Sequence, residues 1–161
     1  MADIVDAATR SRMMRGIRGK NTRPEILVRS LLHSAGFRFR LHVRALPGCP
    51  DLVLRRHKAA VFVHGCFWHG HDCPFFKIPG TRPDFWRGKI ERNRANDVTV
   101  LAALRAKGWR VAVVWECALR GRSALKTNSL EKRLCRWLSG SRNRLDLRGI
   151  SQQRGLGLKL R

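Results

Sequence analysis

The stretch from Val61 to Cys73, V-F-V-H-G-C-F-W-H-G-H-D-C, restricts the fold more than any other part of the chain. It opens as an apolar run that reads as a buried strand. It closes with three His, two Cys and an Asp between His64 and Cys73. A hydrophobic core has little use for that mixture, whereas a metal site beside a reactive site needs it. Cys66, His71 and Cys73 supply three ligands. A fourth, Cys117, follows an apolar strand at Arg110 to Trp115. If that strand runs parallel to Ala59–Val63, its end lies against the same loop, and the four residues form a closed tetrahedral Cys₃His set for structural zinc. His64 and His69 are then left over, and either could serve as a general base. Phe67 and Trp68 have two readings: a roof over the core, or exposed rings that stack on bases or insert between them.

The second constraint is charge. Lys and Arg total 34 against 11 Asp and Glu, a net charge of +23, so the chain attracts polyanions. Its 161 residues suffice for one domain with a real core. No apolar run is long enough to span a membrane. The start, M-A-D-I-V-D, lacks the basic and apolar regions of a signal peptide. The five Cys are therefore expected to be reduced, and thiolate ligation outranks a disulfide framework.

Residues 1–21 read as a basic arm, with Arg12 and Arg15 beside Met13 and Met14. It is either a solvated terminus or a segment that orders on nucleic acid, its cations on phosphates and a Met wedged between bases. Thr22 and Glu25 form a capping box for a helix with apolar positions Ile26, Leu27, Leu31 and Leu32, so Glu25 is read first as a cap. Alternation from Phe37 to Val43 predicts a half-buried strand, and two more follow at Asp51–Leu54 and Ala59–Val63 in a meander. Asp51, behind Pro50, reads on its own as a turn residue. It gains a second reading because the neighbouring strand delivers His64, and a carboxylate at that place can hold Mg²⁺ against a phosphate. Asp84 is expected to cap a helix over Phe85–Lys107 that ends at Gly108. Asp97 falls on its apolar stripe with Ile90, Leu101 and Leu104, so it requires a partner, either His or Arg. Trp86 reads equally as core or as a DNA wedge. Asn128 with Glu131 predicts a last helix through Leu138, and residues 139–161 read as a flexible basic tail.

The motifs P-G-C-P-D, H-G-C-F-W-H-G-H-D-C, T-R-P-D-F-W-R-G-K-I and V-V-W-E-C-A-L-R-G-R occur in this order, after A-T-R-S-R-M-M-R near the start. Together they resemble the very-short-patch repair DNA endonucleases of bacteria, from about Ala8 to about Leu138.

The resemblance implies an α/β restriction-endonuclease-like fold, a mixed central sheet between helices with a structural zinc, over residues 22–138. It implies nicking of one strand 5′ to the T of a T·G mismatch. Asp51 would bind Mg²⁺ with the backbone carbonyl of Val63. His69 would activate water, oriented by Asp97; His64 would assist at the phosphate and Glu25 would support the site. Phe67, Trp68 and Trp86 would enter beside the mismatch from the major groove, with Met14 in the minor groove. Two departures stand out: Val63 replaces a common Thr, and Phe62-Val63-His64 replaces the acid and lysine of the restriction-enzyme pattern. The implied partners are T·G-mismatched duplex DNA and other mismatch-repair proteins, without a membrane. The implied setting is a monomer in the bacterial cytoplasm at the nucleoid. The rival readings are a restriction or structure-specific nuclease on the same fold, and a non-catalytic zinc-bearing nucleic-acid binder.

Overall fold

The computed structural model describes residues 6–17 and 19–150. Arg18 and residues 1–5 of the expected arm, and residues 151–161 of the expected tail, lie outside the described residues.

Two apolar strands form the centre. β3 (Ala59–His64) pairs in parallel with β4 (Arg110–Trp115), from Ala59 opposite Arg110 to His64 opposite Trp115. A parallel pair needs a crossover, and the crossover here contains α3 (Pro83–Ala106). β2 (Leu52–Leu54) lies antiparallel to β3, and β1 (Arg40–Leu41) antiparallel to β2, which completes the predicted meander. The sheet order is β1-β2-β3-β4-β5, and β5 (Arg144–Leu147) runs parallel to β4.

Both faces of the central pair are covered, which explains why β3 and β4 read as continuous apolar runs. Ala59, Val61, Ala112 and Val114 face a core shared with α2 (Arg23–Ser34) and α5 (Thr127–Ser139), built from Val28, Leu32, Leu130 and Leu134. Ala60, Phe62, Val111 and Val113 face Leu104 of α3. Arg110 ties the C-terminal end of α5 to the sheet. Its guanidinium carbon lies over the Trp137 ring, 4.7 Å from the centroid, and the group donates to the carbonyls of Trp137 and Leu138. Those helix-end carbonyls would otherwise be unsatisfied.

Three local expectations change. The strand predicted from Phe37 contracts to Arg40–Leu41, because His42 turns the chain at φ +47; Phe37 and Phe39 still pack on the core. α3 begins one residue before Asp84, since Pro83 fits its first position. Asp84 consequently pairs with Arg87 at the surface and is not the cap. α5 starts at Thr127 with no side-chain cap, so Asn128 falls inside its first turn. A short helix, α4 (Glu116–Leu119), follows β4 directly. The arm contains a helix, α1 (Ala7–Arg15), capped by Asp6 and with no buried residue.

The largest difference concerns the segment read as tail. Residues 144–147 form a sheet strand, and Leu147 is fully buried. A four-residue strand among Arg and Asp has too little apolar content to register in sequence. Leu147→Ala is expected to lower unfolding stability by about 2–4 kcal/mol, read as a shift of the denaturant midpoint. A free tail at this position would leave the midpoint unchanged.

Candidate active site and metal centre

The C-terminal ends of β3 and β4 and the start of β2 meet at one edge of the sheet. Antiparallel pairing of β2 with β3 brings Asp51 beside Val63, whose amide donates to Asp51 Oδ2 at 2.7 Å. Burial pushes the Asp51 carboxyl up to about 6, against the pull of the Val63 amide; Glu25 adds to the rise. A carboxylate held this way favours a cation beside it.

The loop after β3 carries the imidazoles. His69 Nδ1 donates to Asp97 Oδ2 at 2.6 Å, which leaves the Nε2 lone pair available. The buried stripe of α3 therefore finds its partner for Asp97 in a His. His64 stacks flat on His69, with centroids 3.7 Å apart and the rings parallel. Burial, reinforced by His69, holds His64 down at about 3, with Asp97 opposing. His64 is thus a neutral imidazole across the physiological range, and its buried Nδ1 has no partner among the described residues. One cleft of about 830 Å³ is lined by Glu25, Asp51, Val63, His64, Phe67, Trp68, His69 and Asp97.

Behind this loop lies the second cluster. Cys66, His71, Cys73 and Cys117 each offer a ligand atom, all within 4.8 Å of one another. His71 Nδ1 is 3.6 Å from Cys117 Sγ; zinc bonds of about 2.3 Å to sulfur and 2.0–2.1 Å to nitrogen at a tetrahedral angle give a separation of roughly 3.6 Å. The Cys117 amide points at Cys66 Sγ and the Gly149 amide at Cys117 Sγ, at 3.4 and 3.3 Å. Amide donors of this kind favour thiolate sulfur. Burial, joined by the neighbouring Cys73 sulfur, pushes both the Cys66 and Cys117 thiols up against the pull of their amide donors, so the thiolate form is favoured by a metal beside it. The residues fit a metal such as zinc. His71 is held flat against Trp115, ring centroids 4.1 Å apart. The predicted parallel strands thus deliver Cys117 to the loop.

The aromatics gather at the mouth of the cleft. Phe67 meets Trp68 at 5.1 Å and Trp86 at 5.4 Å, edge to face, and Lys89 lies over the Trp68 ring. All three rings are half-buried. The loop is pressed onto α3: Asn93 donates to the Trp68 carbonyl at 2.9 Å, and at Gly70 (φ +57) a Cβ would sit 2.7 Å from Ile90. Arg12, Arg15 and Met14 are exposed on α1 and outside the cleft. Lys20, just after the arm helix, lines it.

Three further residues shape the site without a clear signal in the sequence. Thr22 caps α2 by accepting from the Glu25 amide, and the Glu25 carboxylate closes the box on the Asn21 amide and the Thr22 hydroxyl; it also meets Arg29 at 3.0 Å and faces His42. Alternation assigned His42 to a solvent face, yet it lies between Glu25 and Asp51. Glu116 has a structural role: its carboxylate accepts from the Cys66 amide at 3.1 Å and ties the loop to α4. Only its place between Trp115 and Cys117 hinted at this.

Two measurements follow from this geometry. Elemental analysis should find close to one zinc per chain, and Cys66→Ser or Cys117→Ser should lose it together with much of the thermal stability. The second concerns Asp51, whose pKa is raised on folding. Its ionisation opposes folding, with no penalty below about pH 4 and a full one above about pH 6. Asp51→Asn should therefore stabilise protein free of divalent cations by roughly 1–3 kcal/mol at pH 7 and by almost nothing at pH 4, measured by denaturant titration at both pH values.

Residues 2–74 match the family model described as DNA mismatch endonuclease Vsr. The type II nicking enzyme V.XorIIP of Xanthomonas oryzae pv. oryzae is 54% identical over 126 residues, which is 78% of this chain and 93% of its own. The DNA mismatch endonuclease Vsr of Escherichia coli is 45% identical over 152 residues, 93% of this chain and 97% of its own. The nicking enzyme V.NmeAIP of Neisseria meningitidis is 43% identical over 123 residues, 76% of this chain and 88% of its own. Likeness of this degree over nearly the whole chain, on a mixed sheet that joins an imidazole–carboxylate pair to a Cys₃His cluster, has one reading: the chain belongs to the Vsr family of DNA mismatch endonucleases.

Proposed function

We propose that this protein nicks one strand of duplex DNA on the 5′ side of the T in a T·G mismatch, with Mg²⁺ as the catalytic cation. The observation that carries the reading is the convergence of Asp51 and the His69–Asp97 pair in one cleft. Family membership supports the nuclease, and the nicking activity named for V.XorIIP supports a single-strand cut.

Asp51, anchored by the Val63 amide, and the Val63 carbonyl would hold the magnesium. When bound, the ion supplies positive charge to the phosphate oxygens and the departing 3′ oxygen. The Val63 side chain replaces a common Thr without consequence if only the carbonyl is used. His69 Nε2 takes the proton of the attacking water as its oxygen bonds to phosphorus. Asp97 holds the tautomer this requires and stabilises the imidazolium that results. The P–O3′ bond breaks and the departing oxygen takes a proton from solvent water, leaving a 5′-phosphate and a 3′-hydroxyl. His64 stays neutral, keeps His69 flat and offers a ring nitrogen near the phosphate. Glu25 acts at one remove, through its contacts around Asp51.

Zinc on Cys66, His71, Cys73 and Cys117 would keep the loop rigid, so that its rings and imidazoles are aimed together. Phe67, Trp68 and Trp86 would wedge beside the mismatch, since a mismatched step costs least to unstack. Arg12, Arg15 and Met14 would follow the backbone and the minor groove, and the net charge of +23 makes that binding strongly salt-dependent.

The test is a nicking assay on end-labelled duplexes carrying T·G, matched or C·A pairs, with Mg²⁺ or EDTA. Cutting is expected only on T·G and only with Mg²⁺. Equal cutting of the matched duplex would assign the chain to sequence- or structure-directed cleavage. His69→Ala should slow nicking by about 10²–10⁴-fold. Asp51→Ala should abolish nicking while most DNA affinity remains.

A further inference from the structure

Behind the cleft, Trp115 touches both the Cys₃His cluster and the imidazole pair. It ends β4 opposite His64. Its ring lies flat on His71, with centroids 4.1 Å apart and planes 15° apart. The same ring meets His64 edge to face at 5.3 Å and His69 at 6.3 Å. His64 in turn lies parallel to His69 at 3.7 Å, and His69 Nδ1 donates to Asp97 at 2.6 Å. Ring contacts therefore run unbroken from a zinc ligand to the group that faces the scissile phosphate.

Stacking alone does not fix an indole. Rotation about its last side-chain torsion is broad, and a face contact does not choose where each edge points. The indole N–H does choose: Trp115 Nε1 donates to Asp146 Oδ1 at 3.1 Å. Asp146 lies on β5 opposite Val113, so the pleat places its side chain on the face that Val113 and Trp115 share with α3. Arg144 and Arg148 flank the carboxylate at 3.6 and 3.5 Å and balance its charge. An ionised acceptor makes this hydrogen bond stronger than a neutral one would. Attachment of the strand does not depend on it, because Leu145 and Leu147 turn to the other face and pack into the main core.

We propose that Asp146 is a positioning residue for the imidazole pair: by fixing the Trp115 indole it keeps His64 stacked on His69, and His69 in the tautomer that leaves Nε2 free. The inference rests on the reading of His69 as the base that activates water. Asp146 acts through Trp115 and touches neither imidazole of the pair. Its place in β5 gives a segment with no obvious role in the reaction a reason to be part of the sheet.

The test reads the ring stack and the reaction separately. In Asp146→Asn an amide oxygen can still accept from the indole, and in Asp146→Ala nothing can. Both variants remove the same charge and release the same two arginines, so any change in DNA affinity is common to them. Single-turnover nicking of saturating T·G duplex should fall by about 10–100-fold in Asp146→Ala, the cost of a slightly misplaced reacting group, and stay close to wild type in Asp146→Asn. Each variant should keep its zinc. The imidazole nitrogen resonances of neutral His69 should report one form, protonated on Nδ1, in wild type and Asp146→Asn, and a mixture in Asp146→Ala. Trp115→Phe serves if Asp146→Ala does not fold: it leaves a ring on His71, removes the donor, and should show the same slow rate and mixed tautomer. An unchanged tautomer in Asp146→Ala or Trp115→Phe would overturn the proposal. So would Asp146→Asn as slow as Asp146→Ala, or loss of zinc alongside the slower rate, which would make Asp146 a support of the metal cluster alone. If His69→Ala nicks at the wild-type rate, the reading of His69 has failed, and the tautomer comparison decides the positioning role by itself.

Discussion

The site depends on the in-register parallel pairing of β3 with β4. Because His64 lies opposite Trp115, the residues that follow each strand start from the same edge of the sheet. Cys66 and Cys117 are then neighbours, although fifty-one positions separate them in sequence. The Cys₃His cluster closes that gap, and the loop it anchors carries Phe67, Trp68 and His69 of the cleft. A slip of one residue would exchange the two buried faces of the sheet and part the ligands at once. Register, more than any single contact, is the quantity that selection on such a chain has to protect.

Burial of charge is the second theme. Asp51, Glu25 and Asp97 are all partly or wholly withdrawn from water, and each has a different remedy. Glu25 is neutralised by Arg29 and capped by backbone and hydroxyl donors. Asp97 is matched by an imidazole. Asp51 has a single short amide contact and a distant His, so it keeps an unmet demand for positive charge. Uneven compensation of this kind separates groups that maintain the structure from one prepared to receive a ligand. The same unmet demand makes the fold less stable than it could be above the pH at which Asp51 ionises.

Much of this was legible in sequence, for identifiable reasons. The meander, the crossover and the Cys₃His set all rest on apolar runs and ligand density, which are local signals. Asp97 was legible because a carboxylate on an apolar stripe is costly enough to require a partner. His42 and Arg29 were not, since nothing in an alternating basic segment says that the chain turns at φ +47 and folds one ring inward. β5 was hidden for the opposite reason. Its neighbours supply the apolar surroundings, so its own composition did not need to be that of a strand.

The contact between the Gly149 amide and Cys117 sulfur has a consequence for biosynthesis. Cys66, His71 and Cys73 leave the ribosome long before Cys117, and Gly149 emerges later still. Until Cys117 emerges the nascent chain displays an incomplete ligand set, and until Gly149 follows the Cys117 sulfur lacks its amide donor. Such an intermediate is open to oxidation and to capture of the wrong metal. The order of synthesis therefore leaves the first three sulfur and nitrogen ligands waiting for a partner that arrives about fifty residues later.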